Sequence, residues 1–153
     1  MFELAILENE VASTCAELGI PIVAYSPLGR GLLTGNITSS ADVPQQLRAL
    51  DKYQGDNLEH NLKLVEAVKE LSEQHPGYSM ATFALSWIRQ LSCRNGLPTL
   101  IPISGSSRAE NVRVNAQNIV LSEDDFAKIQ KALDENKTKG ARGYGIQKKY
   151  LEG

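Results

Sequence analysis

Ile20-Pro21-Ile22-Val23-Ala24-Tyr25-Ser26-Pro27-Leu28-Gly29-Arg30-Gly31-Leu32-Leu33-Thr34-Gly35 is the stretch whose reading decides the fold. Ile20 to Ser26 is apolar at both alternating positions, the pattern of a strand buried on both faces in a parallel sheet. The strand runs directly into a glycine-rich loop. The C-terminal end of a buried strand is where α/β barrels place ligands. Gly29, Gly31 and Gly35 let backbone N–H groups come close to a phosphate. Tyr25 offers a flat π face on which a ring can stack. On these features alone the loop reads equally well as a tight turn.

Upstream, residues 8–18 read as a helix: Val11, Cys15 and Leu18 fall at i, i+4 and i+7, Asn9 can cap the start, and Gly19 stands at the stop. Downstream, residues 29–56 are rich in Gly, Ser, Thr, Asn and Asp and read as a long surface excursion, with a short helical piece at 44–50. Residues 57–74 form an amphipathic helix striped by Leu58, Leu62, Val65, Val68 and Leu71, with Glu59 and Lys63 as a supporting pair. Pro76-Gly77 breaks it. Ser79 caps a second helix that runs through Arg89 or beyond and aligns Met80, Ala84, Trp87 and Leu91. Residues 95–98 turn, and 99–103 form a second short buried strand.

The second strand opens another constellation, Ile101-Pro102-Ile103-Ser104-Gly105-Ser106-Ser107-Arg108. Ser107 and Glu110 have capping-box spacing, so a helix is expected to begin there. Exposed N–H groups and the dipole at a helix start favour an anion, and a guanidinium suits a phosphate. The plain alternative is that Ser107 only caps and Arg108 is solvated. Ser122 and Asp125 repeat the capping spacing before a stripe of Phe126, Ile129 and Leu133. Residues 136–153 are polar and locally basic and read as a flexible arm following a domain over 1–135.

Buried strands alternating with helices indicate an α/β fold with a parallel sheet, although two strands are few for one. The 153 residues suffice for a single domain, and a formal net charge of −2 gives no support for binding nucleic acid or an anionic membrane. No apolar run approaches the roughly 18 residues of a membrane span. Residues 1–10 contain no Lys or Arg and do not read as a leader, so a cytoplasmic location is expected. Cys15 and Cys93 lack metal-site spacing and read as buried free thiols, and no metal is expected. His60 and His75 read as solvated surface residues.

Taken together, YSPLGRGLLTG and, about 70 residues later, PISGSSRAENVRVN resemble the aldo-keto reductase superfamily over residues 3–135 at least. The stretches CAELGIPIVAYSPLGRGLLTGNI and IPISGSSR are most similar to its fungal pyridoxal reductase (pyridoxine 4-dehydrogenase) group. The resemblance implies a (β/α)8 TIM barrel, of which this chain would be the C-terminal part, about the last two to three β/α units. It implies NADP(H) as cofactor, bound without a Rossmann motif. Tyr25 would stack on the nicotinamide, and Ser26, Leu28, Gly29 and Gly31 would hold the pyrophosphate. Gly105, Ser106, Ser107 and Arg108 would surround the adenosine 2′-phosphate. Asn111 matches a position that contacts that phosphate, and Asn115 one that reads the adenine. Pro27, Leu32, Gly35 and Ile103 complete the expected cofactor-binding set. Val114 departs from the Glu or Gln that many members carry.

The family's catalytic Asp, Tyr, Lys and His come from the N-terminal half of the barrel. No residue here matches those motifs, and no catalytic residue is assigned. Tyr53, Tyr78, Tyr144 and Tyr150 lack the Lys and His context. The resemblance therefore implies the cofactor-binding half of a reductase, acting on an aldehyde or ketone only when completed by an N-terminal half. A partner chain or oligomer would cover its open edges. A non-catalytic NADP(H)-binding or scaffold subunit and a degenerate remnant are the alternatives.

Overall fold

Two short parallel strands organise the chain, and the helices pack on one side of them. The computed structural model describes residues 4–141 and residue 143. The order is α1 (Ala5–Glu8), α2 (Glu10–Glu17), β1 (Ile22–Tyr25), α3 (Gly55–Glu73), α4 (Met80–Leu91), β2 (Leu100–Ile103), α5 (Ala109–Ala116) and α6 (Glu123–Glu135). β1 and β2 pair in parallel, with Ile22 opposite Leu100 and Tyr25 opposite Ile103.

α4 is the central element. Met80, Phe83, Leu85, Trp87, Ile88 and Leu91 are all buried, and a helix apolar on every side belongs inside. Its start is set by Ser79, whose hydroxyl accepts the Thr82 N–H at 3.1 Å, the expected cap. α3 lays Leu58, Leu64, Val65, Val68 and Leu71 against this core. Its ion pairs are Lys69 with Glu66 at 3.1 Å and with Glu73 at 4.0 Å rather than the expected Glu59–Lys63. α6 begins where expected: the Ser122 hydroxyl accepts the Asp125 N–H at 3.0 Å, and Ile129 and Leu133 are buried.

Several expectations are corrected. Residues 29–56 are not a surface excursion. They fold as successive 3-10 turns that bury Leu32, Leu33, Ile37, Val43, Leu47, Leu50 and Tyr53. The segment is short-range turns on a dense apolar ladder, so its polar residues line the outside. By contrast, the expected helix at 8–18 forms as α2 over Glu10–Glu17, with Asn9 capping it by accepting the Val11 N–H at 3.1 Å and Gly19 just past its end; only Glu8 falls instead in the short α1. The stripe Val11, Cys15, Leu18 is not buried, and Ala12 is the residue α2 buries. Both thiols are free, but Cys93 is exposed and Cys15 half-buried.

The strands are also not covered on both faces. Val23 (56% exposed), Tyr25 (49%), Ile101 (44%) and Ile103 (51%) share an open face, while Ile22 and Leu100 turn toward the helices. Of the arm expected over 136–153, residues 142 and 144–153 lie outside the described residues. Its described start is docked on α3: Lys139 exchanges two 2.9 Å bonds with the Asn61 amide, and the Lys137 carbonyl lies 2.9 Å from His60 Nε2. Among the described residues no helix is long and apolar enough to cross a membrane.

Candidate functional site

Because β1 and β2 are parallel and Tyr25 stands opposite Ile103, the loops that follow them leave the same end of the sheet. Residues 26–35 and 104–108, the two constellations singled out from sequence, are thus neighbours. Ser26, Arg30, Gly105, Ser106, Ser107, Arg108 and Asn111 are exposed, whereas Pro27, Leu28 and Leu32 are buried. Asn115 and Val114 are half-buried. The set therefore divides into anchors beneath the loops and polar groups above them.

The first loop is conformationally costly. Ser26 (φ 49°), Gly29 (58°), Arg30 (51°), Gly31 (104°) and Gly35 (80°) are all left-handed. Two of these are not glycine, and such backbone persists only where surrounding structure enforces it. The enforcement is visible. Gly29 N–H bonds Ser26 O at 3.0 Å, Gly31 N–H bonds Leu28 O at 3.2 Å, and the Thr34 hydroxyl bonds Gly31 O at 2.7 Å. The Gly29 and Gly31 amides thus close turns within the loop in this conformation. From outside the loop, the Tyr53 hydroxyl donates to Gly29 O at 2.8 Å. The buried side chains of Leu32 and Leu33 pin the loop's far end to the core.

The second loop is shaped differently from expectation. α5 begins one residue late: its cap is Arg108, and no side chain caps it. Ser107 does not close a capping box. Ser106 instead turns on itself, its hydroxyl accepting the Arg108 N–H and donating to the Arg108 carbonyl, both at 3.1 Å. The Arg108 N–H is thus taken by Ser106, while no side chain caps the N–H groups of α5 that follow it. α5 buries no residue, and α4 holds it from its other end. Arg89 donates to Asn115 O and Gln117 O, both at 2.7 Å. The Thr82 hydroxyl reaches Gln117 Oε1 at 3.1 Å, and the Gln90 amide exchanges two bonds with Leu121. This polar seam positions Asn111 and Asn115 relative to β2.

A cavity of about 230 Å³ runs beside the first loop between α1, β1 and α4. Leu4, Leu7, Ile22, Leu100 and Trp87 make it apolar, and Tyr25 and Gly29 stand at its loop end. Trp87 Nε1 is buried without an acceptor among the described residues, and its ring stacks on Phe126. Sequence reasoning missed Tyr53, Asn61 and Arg89. Each acts through a bond to a main-chain group distant in sequence, which no local pattern signals. Both histidines are bonded rather than merely solvated, His75 Nε2 lying 3.3 Å from Asp125 Oδ1. They lie on or beyond α3. Among the described residues no group of three or more His, Cys, Asp or Glu side chains could hold a metal.

The model of the Aldo/keto reductase family matches residues 2–134. A putative pyridoxal reductase of Saccharomyces cerevisiae is 37% identical over 155 residues, an alignment covering 93% of this chain and 44% of that protein. A probable pyridoxal reductase 2 of Schizosaccharomyces pombe is 32% identical over 150 residues, with the same coverage of 93% and 44%. This chain thus spans less than half the length of these relatives. Among solved structures, a glycerol dehydrogenase from Gluconobacter oxydans superposes with a TM-score of 0.73 at 22% identity, over 95% of this chain and 43% of that one. At that identity the likeness concerns the fold.

Proposed function

The chain belongs to the aldo/keto reductase family, whose architecture is a (β/α)8 barrel, and from that premise we propose that it forms the NADP(H)-binding part of an oxidoreductase acting on a small aldehyde or ketone. Pyridoxal is the favoured substrate, because two relatives bearing that name align with nearly the whole chain. The observation that carries the reading is the register of β1 and β2, which sets the two loops side by side at one sheet end. A dinucleotide has two anionic centres, a pyrophosphate and, in NADP(H), an adenosine 2′-phosphate. Neighbouring loops can take one each.

The residues fit the group. Tyr25, half exposed at the strand end, presents its ring for the nicotinamide. Ser26 and Leu28 bring main-chain and hydroxyl donors to the pyrophosphate from a loop already held in its left-handed form. Ser106, Ser107 and Arg108 are exposed beside β2, where a guanidinium can pair with a dianion. Asn111 and Asn115 extend the contact along α5 toward the adenosine. When bound, the cofactor supplies the hydride. A carbonyl also needs a proton delivered to its oxygen, and no residue of this chain resembles the family's proton-delivering set. We place that set on barrel elements outside residues 1–153, which would also cover the open face of Val23, Tyr25, Ile101 and Ile103.

Calorimetric titration of the chain with NADPH and NADH tests the reading. One charge-assisted contact to the 2′-phosphate favours NADPH by about ten-fold or more, and Arg108→Ala removes that preference. Equal affinity for the two cofactors, or no NADPH binding, overturns it. NADPH oxidation with pyridoxal or 4-nitrobenzaldehyde tests the location of the proton donor. Turnover by this chain within about ten-fold of a full-length relative contradicts it.

A further inference from the structure

One chain of contacts in the molecule links its C-terminal segment to the first loop. Gly140 (φ +92°) lies flat on the turn at residues 51–53: a Cβ on it would stand 2.5 Å from Lys52 N and 2.6 Å from Lys52 Cα. Beside it, the fully buried Asn61 amide donates both to Lys52 O at 3.0 Å and to Lys139 O at 2.9 Å, and its carbonyl oxygen accepts the Lys139 N–H at 2.9 Å. The turn thus clamped carries Tyr53, whose ring is buried and whose hydroxyl donates to Gly29 O at 2.8 Å.

That last bond falls at a sensitive point. Gly29 and Gly31 are glycines in the left-handed region, so the peptides around them can turn over at low cost. A carbonyl oxygen turned toward the open side of the loop would repel an anion there. The peptide is planar and trans, so its C=O and the following N–H point in opposite directions. Holding the Gly29 carbonyl against Tyr53 therefore keeps that oxygen away from the open side and aims the Arg30 N–H oppositely.

We propose that Tyr53 is a positioning residue for the pyrophosphate of the bound dinucleotide, and that the Lys139–Gly140 segment acts as a strap that keeps Tyr53 in place through Asn61 and Lys52. This rests on the NADP(H) reading above. Tyr53 bonds the first loop through Gly29 O, so its loss is expected to act on the half of the cofactor assigned to that loop.

The test compares two ligands, NADPH and 2′-AMP, the latter carrying the adenosine 2′-phosphate without the pyrophosphate. Tyr53→Phe keeps the ring and removes one hydrogen bond. Its Kd for NADPH rises by about three- to ten-fold, while its Kd for 2′-AMP stays at the wild-type value. Gly140→Ala, which forces the strap off Lys52, gives the same selective loss. Parallel weakening of both ligands shows a merely structural Tyr53 and overturns the proposal. Wild-type NADPH affinity in Tyr53→Phe overturns it while leaving the cofactor reading standing. Absence of NADPH binding by the wild-type chain overturns the cofactor reading, and this proposal with it.

Discussion

Arg89→Met tests whether α5 is held in place by a single side chain at its C-terminal end. α5 has eight residues and buries none of them. A helix of that length is marginal in water and needs tertiary support. Arg89 supplies it through two 2.7 Å bonds, to the carbonyls of Asn115 and Gln117. These acceptors stand at the helix end, where carbonyls lack intrahelical partners and the dipole favours a cation. A hydrogen bond from a charged donor contributes about 1.5–3 kcal/mol. The bond to Gln117 is exposed to water, so the pair is worth about 2–4 kcal/mol after screening. Met keeps the length of the aliphatic stem and its packing, so the loss isolates the polar contacts.

Native-state hydrogen exchange is the assay, because the effect is local. Amides of α5 in Arg89→Met should exchange faster by about 30- to 1000-fold, the equivalent of 2–4 kcal/mol. Amides of α4, which is buried from Met80 to Ile88, should keep their wild-type rates. Arg89→Lys should fall between the two, since an ammonium cannot span both carbonyls in one plane. Wild-type protection of α5 in Arg89→Met would show that β2 and residues 104–108 hold the helix unaided, and the seam described above would then be incidental.

Two further substitutions probe other elements. Leu33→Ala removes a side chain with no exposed surface from residues 29–56, and should cost about 3–5 kcal/mol in urea denaturation; a cost under about 1 kcal/mol would return that segment to the surface. The Asp125 carboxyl is raised by burial, but bonds from the Ser122 hydroxyl and His75 outweigh this and hold its pKa below the usual carboxylate value. A lowered folded-state pKa gives stability that is present above the unfolded value and lost as pH falls through the folded one, here below about pH 4. Asp125→Asn should flatten that acid limb, and an unchanged slope would refute the role assigned to the carboxylate.

Periodicity and punctuation found most of the elements. Ser79, Asn9 and Ser122 cap helices as their side chains suggest, because an N-cap is a local bond whose donor and acceptor lie within three residues. The two loops were equally legible, since glycines and serines after a buried strand are local signals. Ser107 misled because capping spacing can occur without a cap, and Ser106 satisfied its own neighbourhood instead. Residues 29–56 misled because their composition is that of a loop while apolar anchors recur at uneven intervals from Leu32 to Tyr53. Such spacing looks irregular until the 3-10 turns that carry it are known. Tyr53 and Arg89 were illegible because their partners are main-chain oxygens 24 to 28 residues away in sequence.

The sheet carries the strongest disagreement between pattern and packing, and that disagreement is informative. Val23, Tyr25, Ile101 and Ile103 are apolar, paired across the sheet in register, and about half exposed. A strand meant for a one-sided sheet alternates apolar with polar residues, and neither β1 nor β2 does so. Four large apolar side chains on one face of a two-stranded sheet form the sort of contiguous patch that isolated monomers seldom leave uncovered. Both strands are thus patterned for burial on a second face that the described residues do not provide, and under the reading proposed above that face is the interior of the family's barrel. Tyr25 occupies the last position on that face, at the strand end from which the first loop departs. Covering the face and completing the nicotinamide end of the proposed site are thus one structural requirement.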